Sequence, residues 1–248
     1  MMLRHKKIYF VFLFIILVLL VMVVPLQRSI DKNLDKMHPE RKLVTAPAGE
    51  FLGQFLFGFK DIVVDLMWIR MDYYWDHQQQ EKMIPLYRVI TKLDPRFLDA
   101  WTLWAWHIGY NLSATVKDPE IKEKCYWADI NILKEGIKFN QDKYDLFFEC
   151  GWVYYHKLKL FAEAAKYFTL AGQAGEAKDR PMYVPHILAH SYAKQHNWQK
   201  SLEIWESVKK KNDENASQSE VVERHIRKMK KHIKMEQMGE TVKDDMYP

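Results

Sequence analysis

His186 and His190 stand four residues apart. On a helix that spacing puts both imidazoles on one face, where they could chelate zinc with His156 or a carboxylate as a further ligand. No H-E-x-x-H occurs, and no neighbouring acid completes a ligand set in sequence. Two surface histidines are therefore expected, with a metal site as the alternative. Arg70 lies among Asp65, Asp72 and Asp76 at spacings that permit contact along one helix, so a solvated charged face is expected before a catalytic carboxylate pair. The two cysteines, Cys125 and Cys150, form no C-x-x-C and no disulfide framework. Buried thiols or a single bridge both fit the sequence. The phosphate-cradling G-x-x-x-x-G-K-[ST], the dinucleotide G-x-G-x-x-G and the nucleophile elbow G-x-S-x-G are all missing, and no nucleophile–base pair can be placed. The sequence assigns no catalytic residue, no metal and no cofactor, and it offers no small-molecule substrate.

The remaining candidates are aromatic, and helices must position them. The stretch Tyr144 to Pro181 reads YDLFFECGWVYYHKLKLFAEAAKYFTLAGQAGEAKDRP. Phe147, Cys150, Gly151 and Tyr154, then Ala164 and Phe168 four apart, then Pro181, predict a helix, a turn and a second helix with a small residue where the backbones approach. This resembles the tetratricopeptide repeat (TPR), whose pattern is W-x2-L-G-x2-Y, A-x3-F and P; here the turn is one residue longer and several extra residues precede the proline. One such hairpin cannot bury its apolar face alone, so like neighbours are expected. Asp61–Gln79 with Glu81–Leu93 makes a first repeat, with Met83, Tyr87 and Ile90 at packing positions and Arg70 out of pattern. Leu98–Asn111, with Trp101, Trp104, Ala105 and Ile108, pairs with a helix from Asp118-Pro119 to Phe139. A fourth opens at Met182, with Leu188, Ala189 and Tyr192, then Ser201, Trp205 and Val208. Glu220–Met238 has one apolar face and one basic face, as an end cap has.

The fold expected is all-α: a right-handed α-solenoid of about four TPR-like hairpins with a C-terminal capping helix. The resemblance covers about Asp61 to Asp213, and the run LGQFLFGFKDIVVDLMWIR is similar to bacterial membrane-anchored TPR proteins of unassigned function. It implies protein–protein scaffolding through an inner groove lined by the first helix of each repeat. The groove positions are Asp65, Trp68, Asp72, Trp75 and Asp76; Asp99, Thr102, Trp106, Gly109 and Tyr110; Asp145, Phe148, Trp152, Tyr155 and His156; and Tyr183, His186, His190, Ala193 and Lys194. Such a groove is acidic at one end, aromatic in the middle and His/Lys-bearing at the other. Rings on a solvated wall make good anchors for a partner segment; the same rings could instead be packed core.

The N-terminus supplies a second expectation. Ile8 to Val24 is an uncharged apolar run of 17 residues, roughly 25 Å as a helix, enough to just span a bilayer. Small residues do not follow it closely, so an uncleaved single-pass anchor is expected rather than a removed signal peptide. The basic Arg4, Lys6 and Lys7 keep that end in the cytoplasm and place the repeats outside it, across the inner membrane, although Arg28, Lys32, Lys36, Arg41 and Lys42 vote the other way. The expected domains are an anchor (1–27), a juxtamembrane linker (28–50), repeats (51–213), a capping helix (214–238) and a mobile tail (239–248). A net charge of +5 is too small to imply nucleic acid, and the ten bases against six acids between Ser207 and Lys243 read as a solubilising cap, with attraction of anionic lipid or nucleic acid as the alternative. Asn111-Leu112-Ser113 and Asn215-Ala216-Ser217 match the glycosylation pattern, which matters only in a secretory eukaryotic setting. The function expected is a membrane-tethered scaffold that holds a partner protein of an envelope assembly, such as a secretion, pilus or transport complex. A structural subunit of a larger membrane complex is the alternative, and a membrane-bound enzyme or metal-binding protein is third.

Overall fold

The computed structural model describes residues 60–176, 181–211 and 216–240, with backbone only for 211 and 216–219. The expected membrane span, the 28–50 linker, Phe51–Phe59 and most of the tail lie outside the described residues. Within them the chain is all helix, with no strand, and no described helix is long and apolar enough to cross a membrane. The contacts divide the chain into two compact units between Asp94 and Pro95.

The first unit contains one described hairpin. Helix α1 (Lys60–Asp76) leads through a 3-10 turn (Gln80–Lys82) into α2 (Met83–Leu93). Gln78 closes α1 at φ 56°, the left-handed conformation that lets the chain reverse. α1 buries Val64 and Met71, seven residues apart, and α2 buries Met83, Tyr87, Ile90 and Thr91. The Trp68 ring meets Tyr87 edge-on at 6.4 Å. α2 stops at Asp94 because the following Pro95 disfavours helical geometry there.

The second unit is a run of helices, each packed on the next. α3 (Leu98–Trp106) continues through a π-helical stretch (His107–Leu112) into a last turn (Ser113–Thr115). α4 spans Pro119–Ile137; Pro119 loses nothing at the first position, and the Asp118 carboxylate accepts a bond from the Glu120 amide at 2.9 Å. α5 (Tyr144–His156) and α6 (Phe161–Gln173) form the next hairpin, α7 (Tyr183–Lys194) and α8 (Trp198–Lys211) the one after, and α9 (Ala216–Gln237) lies against α8. The tight turns before α6 and α8 use left-handed residues, Lys159 at φ 56° and His196 at φ 58°. α3 also touches α5, so successive first helices are neighbours.

The packing residues expected in the third hairpin are all buried: Phe147, Cys150, Gly151, Tyr154, Ala164 and Phe168. A Cβ on Gly151 would sit 2.8 Å from the Phe168 ring, so only glycine allows this approach. In the fourth hairpin Ala189, Ser201, Trp205 and Val208 are buried, and the core runs on into Val222, Ile226 and Met229 of α9. That explains the apolar face of the last helix. Both cysteines are buried free thiols, so no bridge joins them. Arg96 ties the start of α3 to the end of α4, donating to both oxygens of Asp142 at 2.6 and 2.9 Å and to the Phe139 carbonyl at 2.7 Å.

Candidate binding surface

The rings placed on the first helices converge in the second unit. α5 carries Phe148, Trp152, Tyr155 and His156 along one side, spaced four, three and one. Trp152 stacks on Phe148 (6.3 Å), Tyr155 (6.1 Å) and His156 (5.5 Å). Phe148 in turn meets Tyr183 of α7 edge-on at 5.0 Å. On the α3 side, Trp152 reaches toward the hydroxyl of Tyr110, which is buried without a well-formed hydrogen bond. Tyr110, Trp152, Phe148 and Tyr183 therefore form one strip across three successive first helices. Phe148, Trp152 and Tyr155 are half-buried and His156 is exposed; Tyr183 is 48% exposed. Trp106, 40% exposed, ends the α-helical part of α3 with its ring on His107 at 5.3 Å.

The inner side of this strip also packs on second helices. Phe148 lies 5.4 Å from Phe168, and Tyr155 lies 5.4 Å from Phe161. The rings thus hold one edge against the hairpin and turn the other outward. That geometry gives rigid aromatic edges whose ordering entropy is already spent, which is what a docking anchor needs.

Beneath the strip lies a group that sequence reasoning missed. Asp129 of α4 is 1% exposed, and neither carboxylate oxygen has a hydrogen-bond partner. It sits against Gly109 so closely that a Cβ there would fall 1.8 Å from Oδ2. Burial, then the nearby Glu149 carboxyl, pushes Asp129 up to about 8, with Lys157 pulling the other way. Burial and Asp145 raise Glu149 as well. Lys157 rests its ammonium 4.1 Å from the Tyr110 ring centroid and 5.6 Å from that of Tyr126. Burial lowers its pKa, against the pull of Asp129.

The π-helical stretch makes this arrangement possible. One extra residue per turn rotates everything after Trp106, so His107, Gly109 and Ser113 face inward and Ile108 turns half outward. Gly109, expected on the groove, is instead buried under Asp129. The signal available in sequence was Asp129 itself: Cys125, Asp129, Leu133 and Gly136 share a helical stripe in which the other three are apolar or small.

His186, His190 and Lys194 are half-buried on α7. The two imidazoles lie 5.1 Å from Trp205 of α8, and His225 of α9 stacks on the same indole at 4.4 Å. They gather around a packing residue rather than join the aromatic strip; Ala193 beside them is buried. Burial first, then neighbouring cations and imidazoles, lowers His190 to about 3 and His225 to about 4. Among the described residues no group of three or more His, Cys, Asp or Glu is placed to hold a metal ion. Asp72 and Trp75 are exposed on α1, in the first unit.

No known protein family's sequence profile matches this chain, and no curated protein is similar to it. Among solved structures it is similar to a thermophilic TPR protein from Thermus thermophilus, with a TM-score of 0.46 and 15% identity over 71% of this chain and 94% of that one. The chain's own packing, with Gly151 under Phe168 and Ala189 within the next hairpin's core, has the small-residue contact expected of stacked TPR-like helical hairpins.

Proposed function

We propose that this protein is a membrane-tethered helical-repeat adaptor, and that a segment of a partner protein lies along the strip from Tyr110 through Trp152 and Phe148 to Tyr183. Stacked helical hairpins present extended surfaces, and protein binding is their usual use. The observation that carries the reading is the row of half-exposed rings spanning three first helices, Trp152 stacked on Phe148, Tyr183 edge-on to Phe148, and Trp152 beside the Tyr110 hydroxyl. In this reading the hairpins form a right-handed solenoid, residues 1–27 anchor it in the inner membrane, and the repeats face away from the cytoplasm. The partner belongs to an envelope assembly of the secretion, pilus or transport kind.

Photocrosslinking from position 183, the exposed end of the strip, in native membranes tests this, with the exposed Lys124 on another helix as control. Trp106→Ala and Trp152→Ala should each cut the crosslinked complex by about tenfold, a loss of about 1.4 kcal/mol, while the helical circular dichroism stays unchanged. Unfolding of both variants would instead assign the rings to the core and end the reading.

A second reading, a fixed subunit of a larger membrane complex, is favoured by the large apolar residues exposed on α1. Purification in mild detergent separates the two. A stable stoichiometric complex marks the subunit, and a monomer that captures its partner reversibly marks the adaptor.

A further inference from the structure

Helix α1 has a face that its hairpin with α2 does not use. Ile62, Leu66, Ile69 and Tyr73 follow one another at four, three and four residues, which makes a single stripe. They are 54%, 62%, 63% and 53% exposed, whereas the residues α1 buries are Val64 and Met71 on the far side. An open depression along the stripe is lined by Val63, Leu66, Met67, Ile69, Arg70 and Tyr73. Aliphatic and aromatic side chains of this size are each worth about 1.5–3 kcal/mol when taken out of water, so an open row of four is a strong incentive to associate.

A second row runs beside the first. Asp61, Asp65, Asp72 and Asp76 are spaced four, seven and four, so they line one edge of the stripe. Asp61 lies 3.7 Å from Lys60. No cation among the described residues makes an ion pair with Asp65, Asp72 or Asp76.

We propose that this face of α1 docks an amphipathic helix of a partner protein whose apolar stripe is edged by lysine or arginine. The straight helical row fits the ridge of another helix. The acid row lies at the rim, where long basic side chains can cover apolar surface with their stems and reach the carboxylates with their heads. The same acids repel anionic headgroups, which argues against a bilayer surface as the occupant. The inference is independent of the aromatic strip, which lies in the other unit.

The test uses the full chain in mild non-ionic detergent and two labelled synthetic helices, identical except that one has Lys and the other Glu beside a leucine stripe. The Lys-edged helix should bind at least about tenfold tighter, with the preference shrinking as salt is added. Asp65→Lys with Asp72→Lys should invert the preference; both carboxylates are exposed, so this variant keeps the fold. Leu66→Ser with Ile69→Ser should abolish binding of both helices. Equal affinity, binding of neither, binding only to anionic vesicles, or crosslinks from position 66 into residues 28–59 of the same chain would each overturn the proposal.

Discussion

Among the described residues, the Asp129 carboxyl is displaced furthest from its ordinary value by burial. Its native pKa is raised to about 8 from an ordinary 3.8. Folding is therefore favoured most when the carboxyl is protonated in both states, below pH 3.8. As pH rises the unfolded chain ionises first, and stability is lost until the native group ionises near 8. Asp129→Asn should flatten this profile. Chemical denaturation at a series of pH values should show the parent losing on the order of 2–5 kcal/mol more than the variant between pH 4 and pH 9. A second expectation concerns the tight contact under α5. Gly151→Ala forces a methyl group into the Phe168 ring and should destabilise by about 1–3 kcal/mol, read as a lower melting temperature. Gly109→Ala meets the Asp129 carboxylate instead. Asp129→Ala in the same chain removes the two nearest atoms and leaves its own Cβ at 2.9 Å, so it should relieve most of that clash, and the double variant should be more stable than the Gly109→Ala single variant.

At the scale of elements, the last helix is held by a neutral cluster. His186, His190 and His225 surround Trp205, and the charged groups acting on them are Lys194, Arg224 and Lys228, all cationic. With native values of about 3 for His190 and about 4 for His225, both rings stay uncharged in the folded state. Their contribution to stability is present above the ordinary imidazole value of 6.5. It falls as pH drops below 6.5 and is gone by the native values near 3 to 4. Hydrogen exchange should show α9 opening first in that window, before α5 and α6. His190→Phe, which keeps a ring against Trp205, should move the opening to lower pH. A variant that opens at the same pH as the parent would show that the cluster does not hold the cap. The π-helical stretch is the other element with a consequence: its extra residue turns Gly109 under Asp129 and brings Tyr110 to Trp152, so it couples the buried acid to the outward strip.

For the whole molecule, the expected anchor at Ile8–Val24 sets the predictions. Carbonate washing of native membranes should leave the full chain in the pellet and release a variant that begins at residue 28. A C-terminal topology reporter should be active outside the cytoplasm; activity inside would reverse the proposed orientation while leaving the strip untouched.

The hairpins were legible because their signals are local and periodic. Phe147, Gly151 and Tyr154, then Ala164 and Phe168, recur at helical spacing, and burial of one face is set by that spacing alone. The same rule picked out Ser201, Trp205 and Val208, and it placed Phe148 and Trp152 beside one another. The rest depended on contacts far apart in sequence. Nothing local distinguishes His190 facing solvent from His190 packed on Trp205, because the indole comes from the next helix and His225 from the one after. A fixed helical period also passes over a π-helical insertion, which shifted Gly109 from the expected wall into the core. Periodicity determined which faces pack. The tertiary structure decided which neighbours they meet, and so where a charge is expelled from water and which rings keep an open edge, since desolvation is a property of the assembled surroundings and not of the residue.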